Sequence, residues 1–352
     1  MEYVDQAIDV RSGEELNTAT VETFLRDTIP HLDGQMTVRQ FPGGHSNLTY
    51  LISFKNKEMV LRRPPFGAKA RSAHDMSREY RILKALKPVF PYCPEPLAYS
   101  EDPAVMRCPF YVMERIEGII LRKHLPKGMS LTPTQVERLF ERAVETHHAL
   151  HSLDYHQIGL ENFGKPEGYI RRQIEGWSDR YRAARTPDAP DFESVMTWLS
   201  DHQPGDSPLP CVIHNDFKFD NIVLDSRNPL AIIGVLDWEM ATIGDPLMDL
   251  GSSLGYWVEK NDPQEMQAMR TLPTHLEGAL TRKQVTALYS RLSGRPVDNF
   301  EFYYGFGLFR LAVIAQQIYY RFYHGQTKDP RFESLIVVVG VLEKTARQVM
   351  GI

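Results

Sequence analysis

I-H-N-D-F-K-F-D-N-I-V-L-D, Ile213 to Asp225, is the stretch whose reading decides the fold; I-I-G-V-L-D-W-E, Ile232 to Glu239, and G-D-P-L-M-D-L, Gly244 to Leu250, follow it. Asn221 comes five residues after Asp216, and a further acid, Asp237, ends the next apolar run. This spacing predicts a short turn presenting Asp216 and ending at Asn221, with Ile222, Val223 and Leu224 opening a strand behind it. Pro229 breaks the chain, and Ile232, Ile233, Val235 and Leu236 form a second strand that delivers Asp237 to the same cleft. Taken alone, H-N-D-F-K-F-D-N also fits a polar turn whose Asx side chains cap their own backbone.

Phosphoryl transfer from ATP needs a carboxylate near the attacking hydroxyl, ligands for Mg²⁺ and cations on the transferring phosphate. Asp216, Asn221 and Asp237 supply those parts in the order kinases use. Asp216 then orients the acceptor hydroxyl and takes its proton, while Asn221 and Asp237 hold Mg²⁺, a hard ion that prefers oxygen ligands. Lys218 is placed to reach the γ-phosphate.

The N-terminal half decides between these alternatives. Thr37 to Phe54 reads as a strand, a turn at Pro42-Gly43-Gly44 and a second strand from Leu48, without G-x-G-x-x-G or the G-K-[ST] of a Walker loop. In the next strand, Met59 to Arg62, alternate residues share a face, so Val60 covers an adenine while Arg62 reaches the phosphates. Ala73 to Leu86 has helical spacing with Met76, Tyr80, Leu83 and Leu86 on its buried side. Glu79 lies one position off that stripe as the partner for Arg62; the alternative for such a pair is a surface salt bridge. Arginine stands where kinases usually carry lysine and has a different, forked geometry, which leaves a pseudokinase open. Pro109 to Glu117 is an apolar strand running into a charged turn, and Glu114 to Ile116 is the expected hinge offering backbone groups to adenine.

With F-P-G-G-H-S-N-L-T-Y from Phe41, M-V-L-R-R-P-P from Met59, S-R-E-Y-R-I-L-K-A-L from Ser77, Y-I-R-R-Q-I-E-G-W-S-D-R-Y from Tyr169 and F-R-L-A-V-I-A-Q-Q-I-Y-Y-R from Phe309 added to the catalytic segments, the chain resembles the aminoglycoside phosphotransferase family of kinase-like enzymes. Within that family it resembles the branch similar to the kinase domain fused to certain animal acyl-CoA dehydrogenases, where arginine is frequent at the position of Arg62. The resemblance implies an α+β, two-lobed protein-kinase-like fold. A small antiparallel-sheet lobe over residues 1–115 binds ATP, and a larger, mainly helical lobe over 116–352 carries the catalytic turn, metal site and acceptor pocket. It further implies that Gly43, Gly44, Ser46 and Asn47 lie over the phosphates and that Asp249 braces the catalytic turn. The acceptor becomes a small-molecule hydroxyl, with a hydroxyacyl-CoA or hydroxy acid suggested by the dehydrogenase-linked branch. The alternatives are an aminoglycoside- or choline-type kinase and a nucleotide-binding pseudokinase.

Composition agrees with an enzyme of this kind. The chain has 352 residues, enough for two lobes, and a formal net charge of −5 argues against a general nucleic-acid binder. Cys93, Cys108 and Cys211 form no C-x-x-C, and no signal-like apolar region opens the chain, so a reducing cytoplasm is the expected location. The apolar run Leu335 to Leu342 is far shorter than a membrane span. His147 and His151 share a helix face at the i, i+4 spacing zinc sites use, but without H-E-x-x-H or a nearby Cys they are expected to be packing or surface histidines. His214 is expected to prop the catalytic turn. Tyr169 to Arg185 reads as a basic helix with an aromatic inner face, some of whose arginines suit an anionic acceptor; Arg310, Gln316 and Gln317 are candidate pocket linings.

Overall fold

The computed structural model describes residues 6–41, 47–65 and 75–352. In chain order the first elements are α1 (Thr18–Thr28), β1 (Thr37–Gln40), β2 (Leu48–Phe54), β3 (Lys57–Arg63), α2 (Met76–Leu86), β4 (Pro96–Ser100), β5 (Phe110–Glu114) and β6 (Ile119–Ile120). There follow α3 (Pro133–His151), α4 (Tyr169–Ala184), α5 (Glu193–Asp201), β7 (Cys211–Ile213), β8 (Ile222–Leu224), β9 (Ile232–Val235) and β10 (Thr242–Gly244). The chain closes with α6 (Pro246–Leu254), α7 (Gln264–Met269), α8 (Arg282–Ser293), α9 (Phe300–Tyr323) and α10 (Leu335–Met350). The fold is α+β, two-lobed and kinase-like, with a small antiparallel sheet and a mainly helical remainder. No helix among the described residues is long and apolar enough to cross a membrane.

One unit comprises Met1–Ile120 with Asn221–Ala241. Its antiparallel sheet has the order β1-β2-β3-β5-β4. The period-two alternation of the strands gives the sheet an apolar face of Tyr50, Ile52, Phe54, Met59, Leu61, Phe110 and Val112, which packs on Val21, Leu25 and Ile29 in and just after α1. Each fully buried aliphatic chain in such a layer contributes about 1.5–3 kcal/mol. The opposite side of β3 is left for Val60 and Arg62. On α2, capped by Asp75 accepting the Arg78 N–H at 3.0 Å, the buried positions are Met76, Glu79, Ile82, Leu83 and Leu86. Glu79 therefore lies on the buried stripe, not beside it, because Arg62 supplies the opposite charge a buried carboxylate needs. Tyr80 sits at the margin, stacked on Tyr99 at 5.5 Å. Ala73, the expected helix start, lies outside the described residues.

The hairpin expected from the sequence forms: Ile222 pairs with Val235, and β8 also pairs with β6. A Cβ on Gly234 would lie 2.9 Å from Ile116 side-chain atoms, so only glycine lets the hairpin approach so closely. Val235 N–H also donates to Tyr92 O at 2.8 Å. A boundary at residue 115 counts 221–241 with the second part of the chain; these pairings group them with the first.

The second unit comprises Leu121–Asp220 with Thr242–Ile352. Its axis is α9, buried along most of its length from Phe302 to Tyr319. A Cβ on Gly251 would lie 2.2 Å from Tyr303 O, and one on Gly307 2.0 Å from Gly251 O. These two glycines let α6 and α9 approach backbone to backbone, which fixes the height of Asp249 on α6.

Candidate active site

The turn expected to be catalytic leaves β7, a buried strand paired antiparallel with β10. Asn215 takes φ 64°, a left-handed conformation that Asn tolerates better than most side chains. In Asp216-Phe217-Lys218-Phe219-Asp220 the two phenylalanines are buried. Phe217 stacks on His147 with centroids 4.1 Å apart, and Phe219 packs on Phe140 at 4.6 Å. Those anchors leave the three charged residues together: Lys218 Nζ lies 3.1 Å from Asp216 Oδ2 and 3.8 Å from Asp220 Oδ1. The ammonium also sits over the Tyr256 ring at 4.6 Å. Burial works against the Lys218 charge, but Tyr256, Asp216 and Asp220 outweigh it and raise the group above the usual lysine range. Burial pushes the Asp220 carboxyl up, with Lys218 opposing.

The turn is braced from behind by Asp249, which is fully buried. Its carboxylate accepts the N–H groups of His214 at 2.7 Å and Asn215 at 2.8 Å. The same carboxylate meets His147 Nε2 and His151 Nε2, each at 3.1 Å. With both rings donating from Nε2, His151 Nδ1 is left to accept the Tyr289 hydroxyl at 2.7 Å. His147, His151 and Asp249 lie close enough to suggest a metal site, yet the carboxylate is already committed to two imidazole and two backbone donors. Burial opposes ionisation of Asp249, but the two histidines outweigh it and hold the group well below the usual carboxylate range. His214 accepts the Asp216 N–H on Nδ1 at 3.2 Å, the propping role expected of it.

Burial, reinforced by His147, pushes the His151 imidazole down to about 4 against the pull of Asp249. An unfolded histidine protonates near pH 6.5, so between there and the folded value the unfolded state binds the extra proton and stability falls as pH falls. Urea unfolding should lose about 2 kcal/mol from this group between pH 7 and pH 5. His151→Gln should flatten that part of the profile; an unchanged slope contradicts the assignment.

Three more groups fix the turn. Arg310 donates to Asn215 O at 2.6 Å, with its guanidinium over the Trp177 ring at 5.2 Å. Tyr169 Oη donates to Asn215 Oδ1 at 3.3 Å, and Ser253 Oγ to Phe217 O at 2.7 Å. Arg310, expected in an acceptor pocket, is thus also a backbone clamp, and its role was not legible without the fold. Gln316, another expected lining, is fully buried and donates to Ala184 O at 2.9 Å. Its amide nitrogen ties α9 to the end of α4, while its Oε1 has no hydrogen-bond partner among the described residues. On α4, Arg172 is bonded to the carbonyls of Lys165 and Glu167, and Arg182 forks onto Glu193.

In the other unit, Arg62 is bonded to Glu79 and reaches Asp237 Oδ1 at 3.1 Å and Glu239 Oε2 at 3.2 Å. This is a buried network, not a surface pair. Burial disfavours the guanidinium charge, but Glu79, Tyr111, Asp237 and Glu239 outweigh it and raise Arg62 above its ordinary range. Glu239, absent from the sequence expectations, also accepts Asn47 Nδ2 at 2.7 Å. Gly43, Gly44 and Ser46 lie outside the described residues. Val60 shares the Arg62 side of β3. The N–H of Glu114 donates to Glu95 O at 2.8 Å, and its carboxylate takes Lys87 Nζ at 3.0 Å. A backbone donor toward a base from this hinge must therefore come from residues after Glu114, toward Ile116.

Asn221 and Asp237 are brought together by the hairpin, with Leu236 N–H donating to Asn221 O at 2.8 Å. Asp237 takes φ 68°, and its side chain is 36% exposed. An amide oxygen and a partly exposed carboxylate are hard donors that fit Mg²⁺.

The sequence profile of the phosphotransferase enzyme family matches residues 37–281. Mouse acyl-CoA dehydrogenase family member 10 is 34% identical over 323 residues, covering 91% of this chain and 30% of that protein. Rat acyl-CoA dehydrogenase family member 11 is 32% identical over 339 residues, covering 94% of this chain and 42% of that protein. The chain thus spans less than half the length of these curated relatives. A solved structure from Ralstonia eutropha JMP134, provisionally described as an aminoglycoside phosphotransferase, superposes with a TM-score of 0.81 at 29% identity, over 96% of this chain and 99% of that one. With the profile spanning most of its length and the kinase-like fold in place, this chain belongs to the phosphotransferase enzyme family, the APH family of kinase-like enzymes.

Proposed function

We propose that the chain transfers the γ-phosphoryl group of ATP to the hydroxyl of a hydroxyacyl-CoA or hydroxy acid. The observation that carries the transfer is the Asp216 carboxylate beside Lys218, on a turn held through backbone groups by Asp249, Arg310 and Ser253. Asp216 accepts the proton of the acceptor hydroxyl as its oxygen bonds to the γ-phosphorus; the bond from that phosphorus to the β,γ-bridging oxygen breaks and ADP leaves. Lys218 steadies Asp216 and places a cation beside the reacting groups. Arg62, held by Glu79, is the cation directed at the nucleotide phosphates. Asn221 and Asp237 would hold Mg²⁺, which neutralises charge on the phosphates when bound.

The acyl-CoA class is supported by the names of the two mammalian relatives. Charge near the turn supports it too: the charges acting most on the Tyr256 hydroxyl are Lys218 and Arg310 against Asp216 and Asp220, a mixed field and not the acidic one that suits a polycationic antibiotic. A pseudokinase draws support from Arg62 lying on Asp237, whereas the intact Asp216, Asn221 and Asp237 set favours catalysis. All three cysteines are free thiols, which supports a reducing compartment such as the cytoplasm.

ADP release with Mg·ATP should be stimulated by a 4-hydroxyacyl-CoA or its free acid above an aminoglycoside or choline. Preference for either of the latter two would overturn the acceptor class while leaving the phosphotransferase in place.

A further inference from the structure

A cavity of about 650 Å³ opens within the unit formed by Leu121–Asp220 and Thr242–Ile352. That volume lies in the range of small-molecule sites. None of Asp216, Lys218, Asn221 and Asp237 lines it. Its inner wall includes the buried Asp245 and Tyr289 and the buried side chain of His151, and its exposed wall Leu209, Leu292 and Arg295.

Two of these groups are built but incompletely used. Asp245 is 4% exposed and caps α6 through one oxygen, Oδ1, which accepts Leu247 N–H at 2.8 Å and Met248 N–H at 2.9 Å. Among the described residues its Oδ2 accepts no hydrogen bond, which leaves that oxygen available on the cavity wall. Arg295 has its backbone fixed, the carbonyl accepting Ser290 Oγ at 2.6 Å, while no acid among the described residues pairs with its guanidinium. The remaining acid of the lining, Asp206, accepts Gly168 N–H at 2.7 Å. Leu209 and Leu292 are 54% and 37% exposed, an apolar surface beside the two charges.

We propose that this cavity binds a small zwitterion of the amino-acid type with an apolar side chain. Its ammonium donates to Asp245 Oδ2, its carboxylate takes the Arg295 fork, and its side chain covers Leu209 and Leu292. A simple anion would face Asp245 and a simple cation Arg295; one molecule carrying both charges satisfies both. The occupant lies against the wall whose Tyr289 and His151 lead by hydrogen bonds to Asp249 and the catalytic turn.

Calorimetry on the full chain with phenylalanine, 2-phenylethylamine and 3-phenylpropanoate tests this. Phenylalanine should bind tightest. Asp245→Asn keeps a capping oxygen and should weaken phenylalanine and 2-phenylethylamine by about tenfold or more, sparing 3-phenylpropanoate. Arg295→Gln should weaken phenylalanine and 3-phenylpropanoate and spare the amine. Thermal unfolding of both variants confirms that they are folded. Absence of phenylalanine binding to the wild type, binding weaker than that of either singly charged probe, or indifference to either substitution overturns the proposal.

Discussion

Asp216→Asn should lower the rate of phosphoryl transfer by about 10³-fold, the scale of a positioned general base, and leave Mg·ATP affinity within about twofold of wild type. The asparagine is close to isosteric, and the turn does not depend on the lost charge. Its N–H groups and carbonyls are held by Asp249, His214, Arg310 and Ser253, and Lys218 keeps Asp220 as a neighbour. The substitution thus removes proton acceptance and the Asp216–Lys218 pair without unseating the backbone. Steady-state rates beside calorimetric titration with Mg·ATP separate the two quantities. A variant retaining a tenth or more of the wild-type rate is incompatible with Asp216 as the base.

The second large effect belongs to Asp237→Ala, which should lower the Mg²⁺-dependent part of nucleotide affinity by at least about 10- to 100-fold. Asp237 is the partly exposed carboxylate of the hairpin pair, and Arg62 is 3.1 Å from it. Removing it leaves Arg62 with Glu79 and Glu239, so the guanidinium keeps two acidic partners. Titrations of ATP with Mg²⁺ and with EDTA should converge in the variant. If the Mg²⁺-dependent difference persists at wild-type size, the metal is held elsewhere.

Much of this site was legible because its signals are local. Asp216, Asn221 and Asp237 lie on one turn and one hairpin, so spacing and apolar runs were enough to bring Asn221 and Asp237 together. The D-F-K-F-D alternation also carried its own geometry, aromatic residues inward and charged residues grouped. Glu79 lies on the buried stripe and not one position off it, and only Arg62, from another element, makes its burial tolerable. The Asp249 hub was harder to see. His147 and His151 share a helix face in the sequence, but the single carboxylate both rings meet lies about a hundred residues away. Arg310 and Glu239 gave no local signal of their backbone and side-chain partners. The Gly251 and Gly307 contact that sets α6 against α9 exists only once the helices have packed.

The most direct test of the central claim is transfer of the labelled γ-phosphoryl group of ATP, with Mg²⁺ present, to a 4-hydroxyacyl-CoA or 4-hydroxy acid, in wild type and Asp216→Asn. The account predicts label on the acceptor hydroxyl, dependent on Mg²⁺ and lost in the variant. Intact ATP binding with no label on either acceptor, or labelling equal in both proteins, would contradict it.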